Sequence, residues 1–168
     1  HPKWIRGFYL VAEDDNGNST LYHAPIFLKL DSLEKADKTS LPLYLHDGES
    51  NWMSTANLYD AILLDTKRIG HGFNLFRFPH LIDLVKQKDI CLEINPLSNQ
   101  ILGYVRDLRN HPASTYLRRG VQCSISSDDP LIFDYNGLSY DYWSVYMAWE
   151  LDLAALKQLS RNGIEYAA

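Results

Sequence analysis

The sequence predicts an α/β fold with a parallel sheet covered by helices, on two observations. Short apolar runs alternate with segments of helical periodicity. Short apolar strands in that alternation are the pattern of a parallel sheet covered by helices. Polar residues cluster just past the ends of four of the five runs.

The first strand is expected over residues 5–12 (IRGFYLVA), closed by the acidic turn 13–18. Residues 21–38 are ambiguous. The stretch 21–30 is apolar but Pro25 limits a helix there, while 32–37 (SLEKAD) reads as a short capped helix. The second strand is 41–45 (LPLYL), running into His46-Asp47-Gly48-Glu49. Residues 57–65 place 58, 61, 62 and 64 at helical spacing. A third strand covers 66–71. A helix over 79–88 opens on a Pro and turns Leu81, Ile82, Leu84 and Val85 to one face.

The fourth strand, 89–95, stops at Pro96. Helices are expected over 99–108, with Ile101, Leu102, Val105 and Leu108 inward, and over 112–119, closed by Gly120. The fifth strand, 121–127, ends in Asp128-Asp129-Pro130. From about Ser139 onward the chain reads as helical, with Tyr142, Val145, Tyr146 and Trp149 on one stripe.

The 168 residues are enough for one domain with a real core. With 46% hydrophobic and 22% charged residues the chain is not disordered. A formal charge of −5 argues against nucleic acid or an anionic membrane surface as the main partner. The longest aliphatic run, Ala61 to Leu64, is far short of a membrane span. The chain opens on His1-Pro2 without a charged-then-apolar leader, so any signal peptide is expected to have been removed or to lie outside these residues. Cys91 and Cys123 read as buried free thiols, with a bridge between neighbouring strands as the alternative. Asn18-Ser19-Thr20 is a glycosylation sequon in a polar turn, a weak pointer to secretion.

Two architectures suit five parallel strands: an open doubly wound sheet, or part of a (β/α)8 barrel. No Gly-rich phosphate fingerprint follows the first strand, which counts against dinucleotide binding. A whole barrel needs about 250 residues, so this chain could supply only about the last five β/α units. In a parallel barrel the strand exits meet on one face. Glu13, His46, Glu49, His71, Asp128 and Asp129 all fall there. Imidazoles and carboxylates suit metal-assisted hydrolysis, since zinc takes nitrogen and oxygen ligands and lowers the pKa of a bound water to about 7. A carboxyl group three residues past a His ligand, across a Gly turn, can carry a proton in the same pocket.

Four blocks then stand out in order: His46-Asp47-Gly48-Glu49-Ser50, Arg68-Ile69-Gly70-His71-Gly72, the stretch from Glu93-Ile94-Asn95-Pro96 to Gln100, and Ser126-Ser127-Asp128-Asp129-Pro130. The chain resembles the adenosine deaminases. Asp107-Leu108-Arg109-Asn110-His111-Pro112 and Gly137-Leu138-Ser139-Tyr140-Asp141 are similar to their secreted branch, the adenosine deaminase-related growth factors. The resemblance implies a (β/α)8 TIM-type barrel with one Zn2+, secretion, and hydrolysis of adenosine or 2′-deoxyadenosine to the inosine product and ammonia. It implies His46 and Asp128 as zinc ligands and Glu49 as the acid that protonates purine N1. His71 would orient and help deprotonate the attacking water, and Asp129 would meet N7. The position of Ala12 would bring a backbone N–H against N3.

The family's H-x-H motif, the source of two further zinc ligands, does not occur among the six His of this chain. These residues therefore look like the C-terminal part of a deaminase barrel, with the N-terminal half of the same enzyme as its partner and a homodimer possible. Three positions depart from the family. Asp47 replaces an Ala and is expected to face solvent, Ala12 replaces a Gly and is expected to be tolerated, and Tyr9 replaces an Asp and is expected in the core. Trp4, Trp52, Trp143 and Trp149 read as packing residues, and His80 and His111 as exposed. Glu93, inside a strand, needs a partner. A non-catalytic extracellular relative, acting as a binding or growth-factor-like protein, is the alternative reading. A third is an amidohydrolase acting on AMP or adenine.

Overall fold

The computed structural model describes residues 4–13, 15–50 and 56–167. Five parallel strands form one sheet in the order of the sequence: β1 (Phe8–Leu10), β2 (Leu43–Asp47), β3 (Arg68–His71), β4 (Cys91–Ile94) and β5 (Cys123–Ile125). Helices α1 (Thr20–Asp37), α2 (Asn57–Leu63), α3 (Pro79–Gln87) and the pair α4 (Pro96–Ile101) and α5 (Ala113–Arg118) make the crossovers, and α6 (Ser139–Ala148) and α7 (Leu153–Glu165) follow β5. Crossovers of one hand between strands in sequential order place the helices on one face of the sheet. A doubly wound sheet reverses its order and covers both faces. The sequential order is that of a (β/α)8-type barrel, of which five units are present.

The register separates two sets of side chains. Leu10, Leu45, Ile69, Leu92 and Cys123 form one row across the sheet. All but the partly buried Leu10 are buried, and they pack in one core with Ile82, Val85, Tyr116, Val145, Trp149 and Leu159 from the helices. The alternate rows carry Tyr9, Tyr44, Arg68 and Cys91, then His46, Gly70, Glu93 and Ser124. The face turned away from the helices is therefore polar. Both cysteines are buried free thiols. Among the described residues no helix is long and apolar enough to cross a membrane.

The five expected strands are all present; four are shorter than expected, and the second is shifted two residues on, to Leu43–Asp47, so that His46 and Asp47 belong to the strand itself. The helices depart more. The ambiguous stretch is one continuous helix, α1, which contains Pro25. Ser19 caps it by accepting from the Tyr22 N–H, and buried Thr20 and Phe27 anchor it, which offsets the single backbone hydrogen bond that Pro cannot donate. The helix expected over 99–108 instead begins at Pro96 and stops at Ile101, where the chain turns through Gly103. Ile101 and Leu102 are consequently exposed, while Val105 and Leu108 reach a small second core from the following loop. Trp149 packs as expected. Trp4 and Trp143 are solvent-facing, and Trp52 lies outside the described residues.

Candidate active site

The exits of β2, β3 and β5 bring four ionisable side chains together. β2 leaves the sheet through Gly48, whose φ of 72° belongs to the left-handed region. A side chain there would also meet Asn74 Oδ1 at 2.8 Å and Leu58 at 2.9 Å. The turn is tied to the next exit by two backbone bonds, Asn74 N–H to Gly48 O at 2.9 Å and Gly72 N–H to Asp47 O at 3.0 Å. It folds Glu49 back so that Oε2 lies 3.0 Å from His46 Nε2.

His71 ends β3 with a φ of 66°. Its ring is edge-on to that of His46, with centroids 4.6 Å apart. Nε2 of His71 is 3.6 Å from Glu49 Oε1 and 3.7 Å from Asp128 Oδ2. Asp128, past β5, also has a left-handed backbone, and its Oδ2 accepts from the buried Ser98 hydroxyl at 2.6 Å. The ring of His71 is buried between Asn95, 3.0 Å from Nε2, and Asn99, 3.3 Å from Nδ1.

Electrostatics follow from this packing. Burial pushes His71 down to about 4, against the pull of the Glu49 carboxylate, so the ring is neutral at pH 7. Burial alone would raise Glu49, but its bond to His46 and the two facing imidazoles hold it below the usual carboxylate range.

Glu93 finds its partners on the polar face. It pairs with the Arg68 guanidinium and accepts from the Tyr9 hydroxyl at 2.9 Å. Tyr9 is therefore not a core residue, since its ring is partly exposed and its hydroxyl is committed to a neighbouring carboxylate. Asp47 does not face solvent either. It is buried and accepts from the Thr20 hydroxyl at 2.7 Å, so it is held on α1. His111 is buried, not exposed, because the loop from Val105 to Pro112 folds inward over Phe73.

Two further expected site residues lie at the exits of β5 and β1. Asp129 is exposed beside Asp128. Ala12 lines a small cavity of about 20 Å³ with Glu13, Asn18, Thr20 and His46, at the exit of β1. Asn18 is exposed, as its sequon requires. Sequence reasoning missed Asn95, Ser98, Asn99 and His111 as supports of the cluster. One signal was available: the fourth strand also ends in a polar residue, Asn95, directly before the Pro that starts α4, with Ser98 and Asn99 one turn on.

The donor chemistry fits a zinc ion in part. Ligand atoms of His46, Glu49 and His71 all lie within 4.8 Å of one another, and the Asp128 carboxylate adjoins them. Imidazole nitrogen and carboxylate oxygen are the ligands zinc takes.

The Adenosine deaminase family profile matches residues 5–168. Adenosine deaminase 2 of Dictyostelium discoideum is 46% identical over 167 residues, which is 99% of this chain and 31% of that protein. The chain thus spans about a third of the length of the curated relatives it matches. Among solved structures, adenine deaminase from Arthrobacter aurescens superposes with a TM-score of 0.81 at 22% identity, over 96% of this chain and 47% of that one. An amidohydrolase from Burkholderia ambifaria with bound Zn superposes at 0.73 and 20% identity, over 93% of this chain and 42% of that one.

Proposed function

Because this chain belongs to the adenosine deaminase family, we propose that the protein carrying it hydrolyses adenosine or 2′-deoxyadenosine to the inosine product and ammonia, with zinc as its metal. The observation that carries this reading is the convergence of His46, Glu49, His71 and Asp128 from three strand exits. His46 and Asp128 would hold the zinc, whose chemistry is to make water nucleophilic near neutral pH. Two donors bind such an ion weakly. The N-terminal part of the same protein supplies the remaining strands and ligands, in keeping with five strands of a barrel and a third of the relatives' length.

Attack of water oxygen on C6 places negative charge on N1, so a proton is needed there in the transition state. Glu49, held as a carboxylate at neutral pH, takes a proton before it gives one. The proton leaving the attacking water supplies it, and Glu49 passes it to N1. His71, neutral and fixed between two asparagines, orients that water. Asp129 meets the N7 edge, and the backbone of Ala12 meets N3. Asp47 does not disturb Glu49, because its carboxylate is held by Thr20. The exposed sequon at Asn18 supports a secreted protein, which a mass shift on glycosidase treatment would register.

Absorbance of adenosine tests the reading in the full-length protein. Turnover is expected to vanish with the metal and return with added zinc. Deamination that continued after complete metal removal would overturn it.

A further inference from the structure

A line of hydrogen bonds runs from the backbone of α5 to the site, and its polarity is fixed at the far end. The N–H of Ala113 donates to Nδ1 of His111 at 3.1 Å. A backbone N–H can only donate, so Nδ1 has no proton and the neutral ring carries its proton on Nε2. Burial keeps that ring neutral, with its pKa pushed down to about 3, and Phe73 and Trp149 enclose it. Nε2 lies 3.0 Å from Asn99 Oδ1, the acceptor it requires. With its oxygen committed, Asn99 turns its Nδ2 to Nδ1 of His71 at 3.3 Å. The second imidazole is thereby an acceptor at Nδ1.

We propose that this relay, from Ala113 through His111 and Asn99, locks His71 in the tautomer with its proton on Nε2, so that His71 faces the site as a donor. Asn95 gives independent support. Its amide lies 3.0 Å from His71 Nε2, while Oδ1 is otherwise buried without a hydrogen-bond partner among the described residues. Turned over, the amide presents that oxygen to the Nε2–H and satisfies both groups. Glu49 Oε1 and Asp128 Oδ2 lie 3.6 and 3.7 Å from the same nitrogen, beyond direct hydrogen-bond reach, so this edge of the ring is the one that borders the site. On the reading of His71 as the ring that holds the attacking water, it does so by donating, and it is not the atom that takes the water's proton. Asn99 and His111 are then positioning residues for the reaction.

The test uses the full-length protein with 15N-labelled histidine rings. Long-range proton–nitrogen spectra at neutral pH report each tautomer without any turnover, so they decide the relay even if adenosine is not the substrate. Both His71 and His111 are expected to show a protonated Nε2 and a bare Nδ1. In Asn99→Asp the carboxylate accepts from both rings, so the His71 proton moves to Nδ1. There kcat should fall about tenfold or more with KM nearly unchanged, the scale on which supporting hydrogen bonds act. In His111→Gln the amide N–H still donates to Asn99, so the His71 spectrum and most of kcat are retained. A wild-type His71 protonated at Nδ1, or on both nitrogens, overturns the proposal. So does an Asn99→Asp protein that folds and leaves the His71 tautomer unchanged.

Discussion

Nε2 of His71 and Oδ2 of Asp128 lie 3.7 Å apart, and both residues sit on left-handed backbones, with φ of 66° and 58°. For non-glycine residues this conformation costs on the order of 1–2 kcal/mol each. Extended backbone at the same positions would keep the period-two alternation of the strands, which fixes the side-chain directions by pleat alone. The left-handed turns re-aim both side chains at the end of the sheet. The burial of His71 and the Ser98 bond to Asp128 hold the turns in place.

Glu49→Gln preserves the shape of the turn through Gly48 and removes the carboxylate that takes up and passes on the proton. Turnover of adenosine should fall by about 10²–10⁴-fold, with metal content unchanged. Near-normal rates in a metal-loaded variant would deny Glu49 its role as proton carrier.

Ser98→Ala frees the Asp128 carboxylate from its 2.6 Å donor. If Asp128 is a metal ligand, affinity should weaken by about 10–100-fold, the usual cost of losing a ligand's own support. Competition against a chelator measures it, and an unchanged affinity would remove Asp128 from the ligand set.

Gly70 lies under the site, where an added Cβ would fall 2.2 Å from the Tyr9 hydroxyl and 3.2 Å from His46 Nδ1. Gly70→Ala should therefore lower stability by about 1–3 kcal/mol, read from denaturant midpoints. Tyr9→Phe removes the obstructing oxygen. The double variant should be more stable than the sum of the single effects predicts, and strict additivity would place the strain elsewhere.

His111 predicts a pH dependence of stability. Its folded pKa is about 3, below the ordinary value of 6.5. Between these values the unfolded chain binds the proton and the folded one does not, so stability rises with pH across the window. The contribution is complete above 6.5 and is lost progressively as pH falls toward 3, with a slope approaching about 1.4 kcal/mol per pH unit. Unfolding midpoints between pH 7 and 4 should fall less steeply in His111→Gln than in the wild type. Equal slopes would mean that His111 is not buried neutral.

The alternation of apolar strands with helical segments determined the sheet, because period and residue type act within a few neighbours. The same local logic located His46, Glu49, His71 and Asp128 at strand exits, and the order of their blocks pointed to the family. Tertiary structure alone decided what lies between the exits. Pro25 sits inside a helix because distant packing outweighs one missing backbone bond. Asp47, two residues from Glu49, is drawn to Thr20, and His111, in a polar loop of sequence, is buried against Phe73 and Trp149. Hydrogen bonds such as Ser98 to Asp128 and His111 to Asn99 join separate segments, so only the closed fold can assign them. Periodicity tells which side of an element is apolar. It does not tell which polar atom across the sheet will satisfy a buried donor, and that satisfaction is what shapes this site.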